Sequence, residues 1–149
     1  MKRFVIDASV AVMWLPLFRG EPLVSHARWY LDRRTAGEIT LIVPDLFWAE
    51  VSSVLWKTAR KGRCDSDEAS AAFSALQEQE LTAVPSLILA NSALSIALNY
   101  GRSLYDCLYV ALAVRSNAEL VTADEKLVNA LASRFPVKWL GAIYSGEAV

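Results

Sequence analysis

The chain is poor in the side chains that build soft metal centres. It has one histidine, His26, and two cysteines, Cys64 and Cys107, in 149 residues. One histidine excludes a histidine-rich metal site, and the cysteines have no zinc-like or redox-like spacing. They read as free thiols of a reducing cytosol rather than a disulfide. Long hydrophobic runs are also missing, because Asn, Arg and Asp interrupt the Ala- and Leu-rich stretches, so no segment is expected to span a bilayer. The apolar run after Lys2-Arg3 ends at Asp7, too soon for a signal-peptide core, and no targeting segment is visible. A cytoplasmic protein is expected. No excess of either charge is present: the formal net charge is −1, which does not indicate a globally basic nucleic-acid binder. Finally, no glycine-rich turn follows the first apolar run. Asp7-Ala8-Ser9-Val10 stands there instead, which argues against a dinucleotide-binding oxidoreductase.

What the chain does have is hydrophobic content, 54% of residues, enough for one domain with a real core over residues 1–149. Short β-like runs alternate with longer helical patterns. Strands are expected at 2–6, 40–43, 81–84, 119–122 and 137–140. Helices are expected at 8–15, 22–34, 45–61, 65–80, 86–100, 103–116 and 124–134, with Pro16, Gly37, Gly62 and Gly101 as stops. Strands separated by helical crossovers imply a parallel sheet with helices on both faces, a three-layer α/β/α domain. Ligands of such folds bind beyond the carboxyl ends of the strands. Lys57, Arg60, Lys61 and Arg63 precede Asp65, Asp67 and Glu68, which reads as the cationic end of one helix meeting the anionic start of the next.

Four acids carry the chemistry. Asp7 follows Phe4-Val5-Ile6, and Asp124 closely follows Leu120-Val121-Thr122, so both sit at the carboxyl ends of expected strands. Glu50 lies on an apolar helical stripe with Leu46, Phe47 and Val54, and Asp106 lies on another with Val110 and Ala113. Three have a bland alternative: Asp7 and Asp124 as helix N-caps, and Asp106 as the partner of Ser103 in a capping box. Glu50 has none, because a surface Glu is not normally centred on an apolar stripe. Clustered carboxylates repel one another unless a cation is present, and a hard divalent ion is the simplest such partner. With Mg²⁺, one of the waters the ion keeps could attack a phosphodiester. Ser9 and Thr122 stand beside the acids as candidate supports. Ser9 also occupies the position where a dehalogenase-like phosphatase usually has its second Asp.

The ordered segments Val5-Ile6-Asp7-Ala8-Ser9, Val43-Pro44-Asp45 leading to Ala49-Glu50-Val51, Leu104 to Ala113, and Leu120 to Leu127 resemble PIN-domain ribonucleases, most of all the VapC-like toxins of type II toxin–antitoxin pairs. The resemblance spans essentially the whole chain. It implies strand order 3-2-1-4-5, an Mg²⁺- or Mn²⁺-dependent endoribonuclease, and Asp7, Glu50, Asp106 and Asp124 as catalytic metal ligands. It also implies an RNA substrate, a cognate antitoxin and a homodimer. A non-catalytic or free-standing RNA-processing module on the same fold is the alternative. For the dimer, the back of the Glu50 helix, with Trp48, Leu55, Trp56 and Ala59, is the expected contact surface.

Overall fold

The computed structural model describes residues 1–142. Phe4, Val5 and Ile6 are buried one after another, so the first strand is covered on both faces, as the interior strand of a parallel sheet must be. This strand, β1 (Lys2–Ile6), is followed by β2 (Ile39–Pro44), β3 (Thr82–Val84), β4 (Glu119–Thr122) and β5 (Val137–Trp139). All neighbouring pairs are parallel, in the order β3-β2-β1-β4-β5. The strand order 3-2-1-4-5 is therefore the observed one, with β1 central between β2 and β4.

The helices are α1 (Ala8–Ala11), α2 (Val24–Thr35), α3 (Leu46–Arg60), α4 (Ser66–Gln77), α5 (Ser86–Tyr100), α6 (Leu104–Arg115) and α7 (Glu125–Leu131). They cover both sides of the sheet. Cys107 to Ala113 of α6 are buried without a break. A helix apolar all round belongs in the interior, and α6 packs on β1, β2 and β4 with α5 beyond it. Gly101, at φ 68°, closes α5 in the left-handed region, where glycine carries no side-chain penalty. The short turn from Gly101 to Ser103 then delivers Arg102 to the start of α6.

Several boundaries differ from expectation. The first helix is α-helical only to Ala11, then tightens into 3₁₀ turns at Val12–Trp14 and Pro16–Phe18, since Pro16 cannot continue the ladder. The second helix begins at Val24, after Leu23 adopts φ 71°. The last helix ends at Leu131, with residues 132–134 turning towards β5. Asp45 does not cap the helix it precedes; its carboxylate accepts from the backbone N–H and hydroxyl of Ser86 at the start of α5. The acidic start of α4 is a complete capping box, with Asp65 accepting from the Glu68 N–H at 2.8 Å and Glu68 accepting from the Asp65 N–H at 3.2 Å.

The expected contact face of α3 is mostly internal. Trp48 meets Phe47 and Phe73 edge-on, at centroid distances of 5.0 and 5.9 Å, and Leu55 is buried. Trp48 thus fastens α3 to α4 within the domain. Only Trp56 of the group's aromatics stands well into solvent, 56% exposed, with the Arg60 guanidinium 4.9 Å from its ring centre. The larger exposed aliphatic surface lies on α5, at Leu87, Ile88, Leu94 and Leu98.

Candidate active site

The end of β1 is pinned to the end of β4: the Asp7 N–H donates to the Val121 carbonyl at 3.1 Å. Asp7 precedes α1, but its side chain makes no capping hydrogen bond. Instead Oδ2 accepts from Ser9 Oγ at 2.8 Å and Thr122 Oγ1 at 2.6 Å. Each hydroxyl also accepts from the backbone after β4: Ser9 from the Ala123 N–H at 3.1 Å, and Thr122 from the Asp124 N–H at 3.0 Å. The two hydroxyls therefore tie Asp7 to the loop that carries Asp124. Thr122 is fully buried, and its hydroxyl is satisfied in both directions, as a buried polar group requires. Ser9 and Thr122 were expected as supports, and both contact Asp7.

Glu50 sits one turn into α3, half-buried, and its Oε1 accepts from Tyr109 Oη at 2.6 Å. Tyr109 lies on α6, one turn beyond Asp106, so the two share a face. Burial pushes the Asp7 carboxyl above its ordinary pKa; the Thr122 and Ser9 hydroxyls offset part of the rise, and the charge of Asp106 adds to it. Although some of its surface remains accessible, Asp7 lies close enough to surrounding protein for desolvation to dominate. Burial raises Glu50 as well, with the Tyr109 hydrogen bond opposing and the charges of Asp7 and Asp106 reinforcing. Tyr109 itself is driven strongly upward, first by burial and then by the charges of Asp7 and Glu50. It remains a phenol that donates, not a base.

Asp106 and Asp124 are held differently. Ser103 caps α6 by accepting from the Asp106 N–H at 3.1 Å. The Asp106 carboxylate does not complete the expected box; its Oδ2 meets Arg102 Nη2 at 3.3 Å. Asp124 caps α7, with Oδ1 accepting from the N–H groups of Lys126 at 3.0 Å and Leu127 at 3.3 Å. Its other oxygen faces the same Arg102 nitrogen at 3.9 Å. Capping and a second role are therefore compatible at Asp124, one oxygen for each.

The donor set suits a hard cation. Every candidate ligand atom is a carboxylate oxygen; the charge of Asp106 raises the cost of ionising Asp7, and the charges of Asp7 and Asp106 raise that of Glu50. Among the described residues neither Asp7 nor Glu50 forms an ion pair, and no three acid, histidine or cysteine side chains stand together as a ready metal-binding group. An ion that keeps several of its waters needs only one or two direct carboxylates, so an open acidic set fits Mg²⁺ better than an all-protein cage would.

Sequence reasoning brought out the four acids but not Tyr109 or Arg102. Tyr109 had a usable signal, its one-turn spacing from Asp106. Arg102, four residues before Asp106, falls in a turn, where helical spacing does not apply.

The PIN domain family model matches residues 4–131. The chain belongs to the PIN-domain family. Ribonuclease VapC3 of Pyrobaculum aerophilum is 33% identical to this PIN domain over 137 residues, 90% of the chain and 95% of the relative. The crystal structure of PAE2754 from the same organism superposes with a TM-score of 0.70 at 23% identity, covering 97% of this chain and 88% of that one. A toxin–antitoxin complex from Klebsiella pneumoniae matches with a TM-score of 0.61 at 18% identity, over 90% and 94% of the two chains. VapBC2 from Rickettsia felis, bound to a DNA fragment from their promoter, matches with a TM-score of 0.62 at 13% identity, over 92% and 98%.

Proposed function

We propose that this PIN domain is an Mg²⁺- or Mn²⁺-dependent endoribonuclease and the toxin of a type II toxin–antitoxin pair. The observation that carries the reading is the bonded constellation at the carboxyl edge of β1 and β4: Asp7 held by Ser9 and Thr122, Glu50 held by Tyr109, and Asp106 beside them. The kinship with a VapC ribonuclease over nearly the full length of both chains supports it.

Asp7, Glu50, Asp106 and Asp124 would hold the cation, one or two of them directly and the others through its waters. When bound, a divalent ion supplies charge for the developing phosphorane and lowers the pKa of water. The protein's own part is positional. Ser9 and Thr122 fix the Asp7 rotamer, Tyr109 fixes that of Glu50, and the α7 cap fixes Asp124. The net step is hydrolysis: water adds to phosphorus, the bond to the 3′ oxygen breaks, and a 5′-phosphate and a 3′-hydroxyl result. The protein should therefore cut RNA with Mg²⁺ or Mn²⁺, fall silent in EDTA, and leave 5′-phosphate ends. Undiminished cleavage in EDTA, or 2′,3′-cyclic phosphate ends, overturns the mechanism.

The partner assignments follow from the same kinship. A cognate antitoxin should relieve the growth arrest caused by expressing this chain, and the adjacent gene is the one to co-express. Self-association as a homodimer is assigned to the exposed aliphatic face of α5 rather than to Trp48, because Trp48 is engaged within the domain. Among the described residues no helix is long and apolar enough to cross a membrane. The cytoplasm is assigned as the place of action because RNA is the proposed substrate.

A further inference from the structure

We propose that Arg102 is a phosphate-binding residue of the RNA site, and that it rests on Asp106 and Asp124 until those carboxylates turn to a divalent cation. This deepens the nuclease reading and rests on it.

The resting contact is a loose one. A guanidinium binds a carboxylate best as a fork, through two parallel N–H···O bonds. Here one nitrogen, Nη2, serves both acids, at 3.3 Å to Asp106 and 3.9 Å to Asp124. The Nε of Arg102 is buried and makes no hydrogen bond among the described residues. A buried donor without an acceptor is costly to keep, so the side chain has binding capacity that its present partners leave unused. A phosphodiester offers two unesterified oxygens in the geometry that a guanidinium fork matches.

The backbone around Arg102 is fixed while the side chain remains partly open. Gly101 closes α5, Ser103 caps α6, and Arg102 lies between them, with 25% of its side chain accessible. It can therefore change partner without moving a helix. A cation bound by Asp106 and Asp124 and a guanidinium compete for the same two oxygens. Once the carboxylates are engaged elsewhere, the charge of Arg102 is left at the edge of the acid cluster. There it would face the substrate backbone and offset the repulsion between four acids and RNA.

The proposal makes two predictions of opposite sign for Arg102→Gln. Cation affinity should rise, because a competitor is gone: the Mn²⁺ concentration giving half the maximal rise in melting temperature should fall by about tenfold. RNA affinity should fall. Anisotropy of a fluorescein-labelled single-stranded RNA, measured with Ca²⁺ and checked for intact RNA, should show weaker binding and a salt dependence shallower by about 0.7 in log–log slope, the loss of one phosphate contact. Arg102→Lys should keep most of the salt slope, because it keeps the charge, and Arg102→Met, uncharged like the Gln variant, serves in its place if Arg102→Gln does not fold. Unchanged or weaker Mn²⁺ binding in the uncharged variant refutes the resting role, and an unchanged salt slope in that variant refutes the phosphate contact. If the wild-type protein neither gains stability from Mn²⁺ nor cleaves RNA, the nuclease reading itself fails, an outcome distinct from either of these.

Discussion

Asp7 and Glu50 are surrounded by hydroxyl donors, whereas Asp106 and Asp124 share a guanidinium. The two pairs belong to one cluster, but their surroundings stabilise charge by different means. Hydroxyls from Ser9, Thr122 and Tyr109 lower the cost of ionising their carboxylates without contributing positive charge. Burial and the charges of neighbouring acids, Asp106 for Asp7 and both Asp7 and Asp106 for Glu50, still win there, and both carboxyl pKa values stay raised. On the other side Arg102 supplies a positive charge directly, and Asp124 also accepts two backbone N–H groups. The first pair is thus the strained, cation-seeking half, and the second is partly neutralised by the protein itself. The strain has a thermodynamic sign. A carboxyl whose pKa is higher in the folded than in the unfolded state binds its proton more tightly when folded. Through Asp7 and Glu50, stability of the cation-free protein is therefore lost as pH rises from their ordinary values of 3.8 and 4.5 through the raised folded values.

The largest test of this contrast is Glu50→Gln. Gln preserves shape and helix propensity and can still accept from Tyr109, so the fold should survive. Removing a raised-pKa carboxylate should leave the cation-free protein as stable as wild type or more so at neutral pH, with a flatter dependence of melting temperature on pH in EDTA. Cleavage should nevertheless fall by on the order of 100-fold or more, since a charge meant for the cation and its water is gone. RNase assays and thermal melts on the same preparation check both halves. Near-wild-type activity in a folded Glu50→Gln protein removes Glu50 from the site.

A smaller effect is expected at Tyr109→Phe, which deletes one oxygen from the hydroxyl-held pair. The loss of a partner that orients a ligand costs about tenfold or more in activity or cation affinity. Its direction in pH is specific. The Tyr109 hydrogen bond lowers the Glu50 pKa, so without it Glu50 should ionise later, and the acidic limb of the pH–rate profile should move to higher pH. A drop in rate with no movement of that limb would assign Tyr109 to packing alone.

The parts that sequence reading found and missed follow a physical divide. The sheet was legible because its inner strands are buried on both faces and therefore read as unbroken apolar runs, Phe4-Val5-Ile6 and Leu120-Val121-Thr122. Asp7 and Asp124 were legible for the same reason, since each follows a run that ends at the sheet's edge. Glu50 stood out as an acid on an apolar stripe. The bonds that define the site were not legible, because they join residues far apart in the chain: Thr122 to Asp7 and Tyr109 to Glu50 depend on β4 beside β1 and α6 against the sheet. Local pattern was also ambiguous where it matched two roles. Ser103 and Asp106 have the spacing of a capping box, yet only the serine caps, and Arg102 holds the acid. Asp45 looked like the start of its own helix and instead binds the start of α5. Trp48 belonged to an apolar face that sequence cannot divide between a neighbouring helix and a second subunit.

The smallest effect is expected at Asp124→Asn, on the side of the cluster that Arg102 serves. Asn caps a helix about as well as Asp, whereas Ala costs roughly 1 kcal/mol. Repulsion within a cluster of four acids would by itself leave the cation-free protein equally or more stable when this one is neutralised. The nearby guanidinium alters that balance, because relief of repulsion is now set against loss of an attraction at 3.9 Å. The exposed edge of the pair screens that attraction, and such contacts contribute little. The cation-free melting temperature of Asp124→Asn should therefore stay close to that of wild type, while Asp124→Ala should fall by about 2–4 °C. The rise in melting temperature on adding Mg²⁺ or Mn²⁺ is the independent reading: it should shrink in both variants if Asp124 helps to hold the cation. A full cation-induced rise and full cleavage in Asp124→Asn would leave Asp124 as the cap of α7 alone. The remaining acids of the cluster would then be Asp7, Glu50 and Asp106, with Arg102 opposed to Asp106 only.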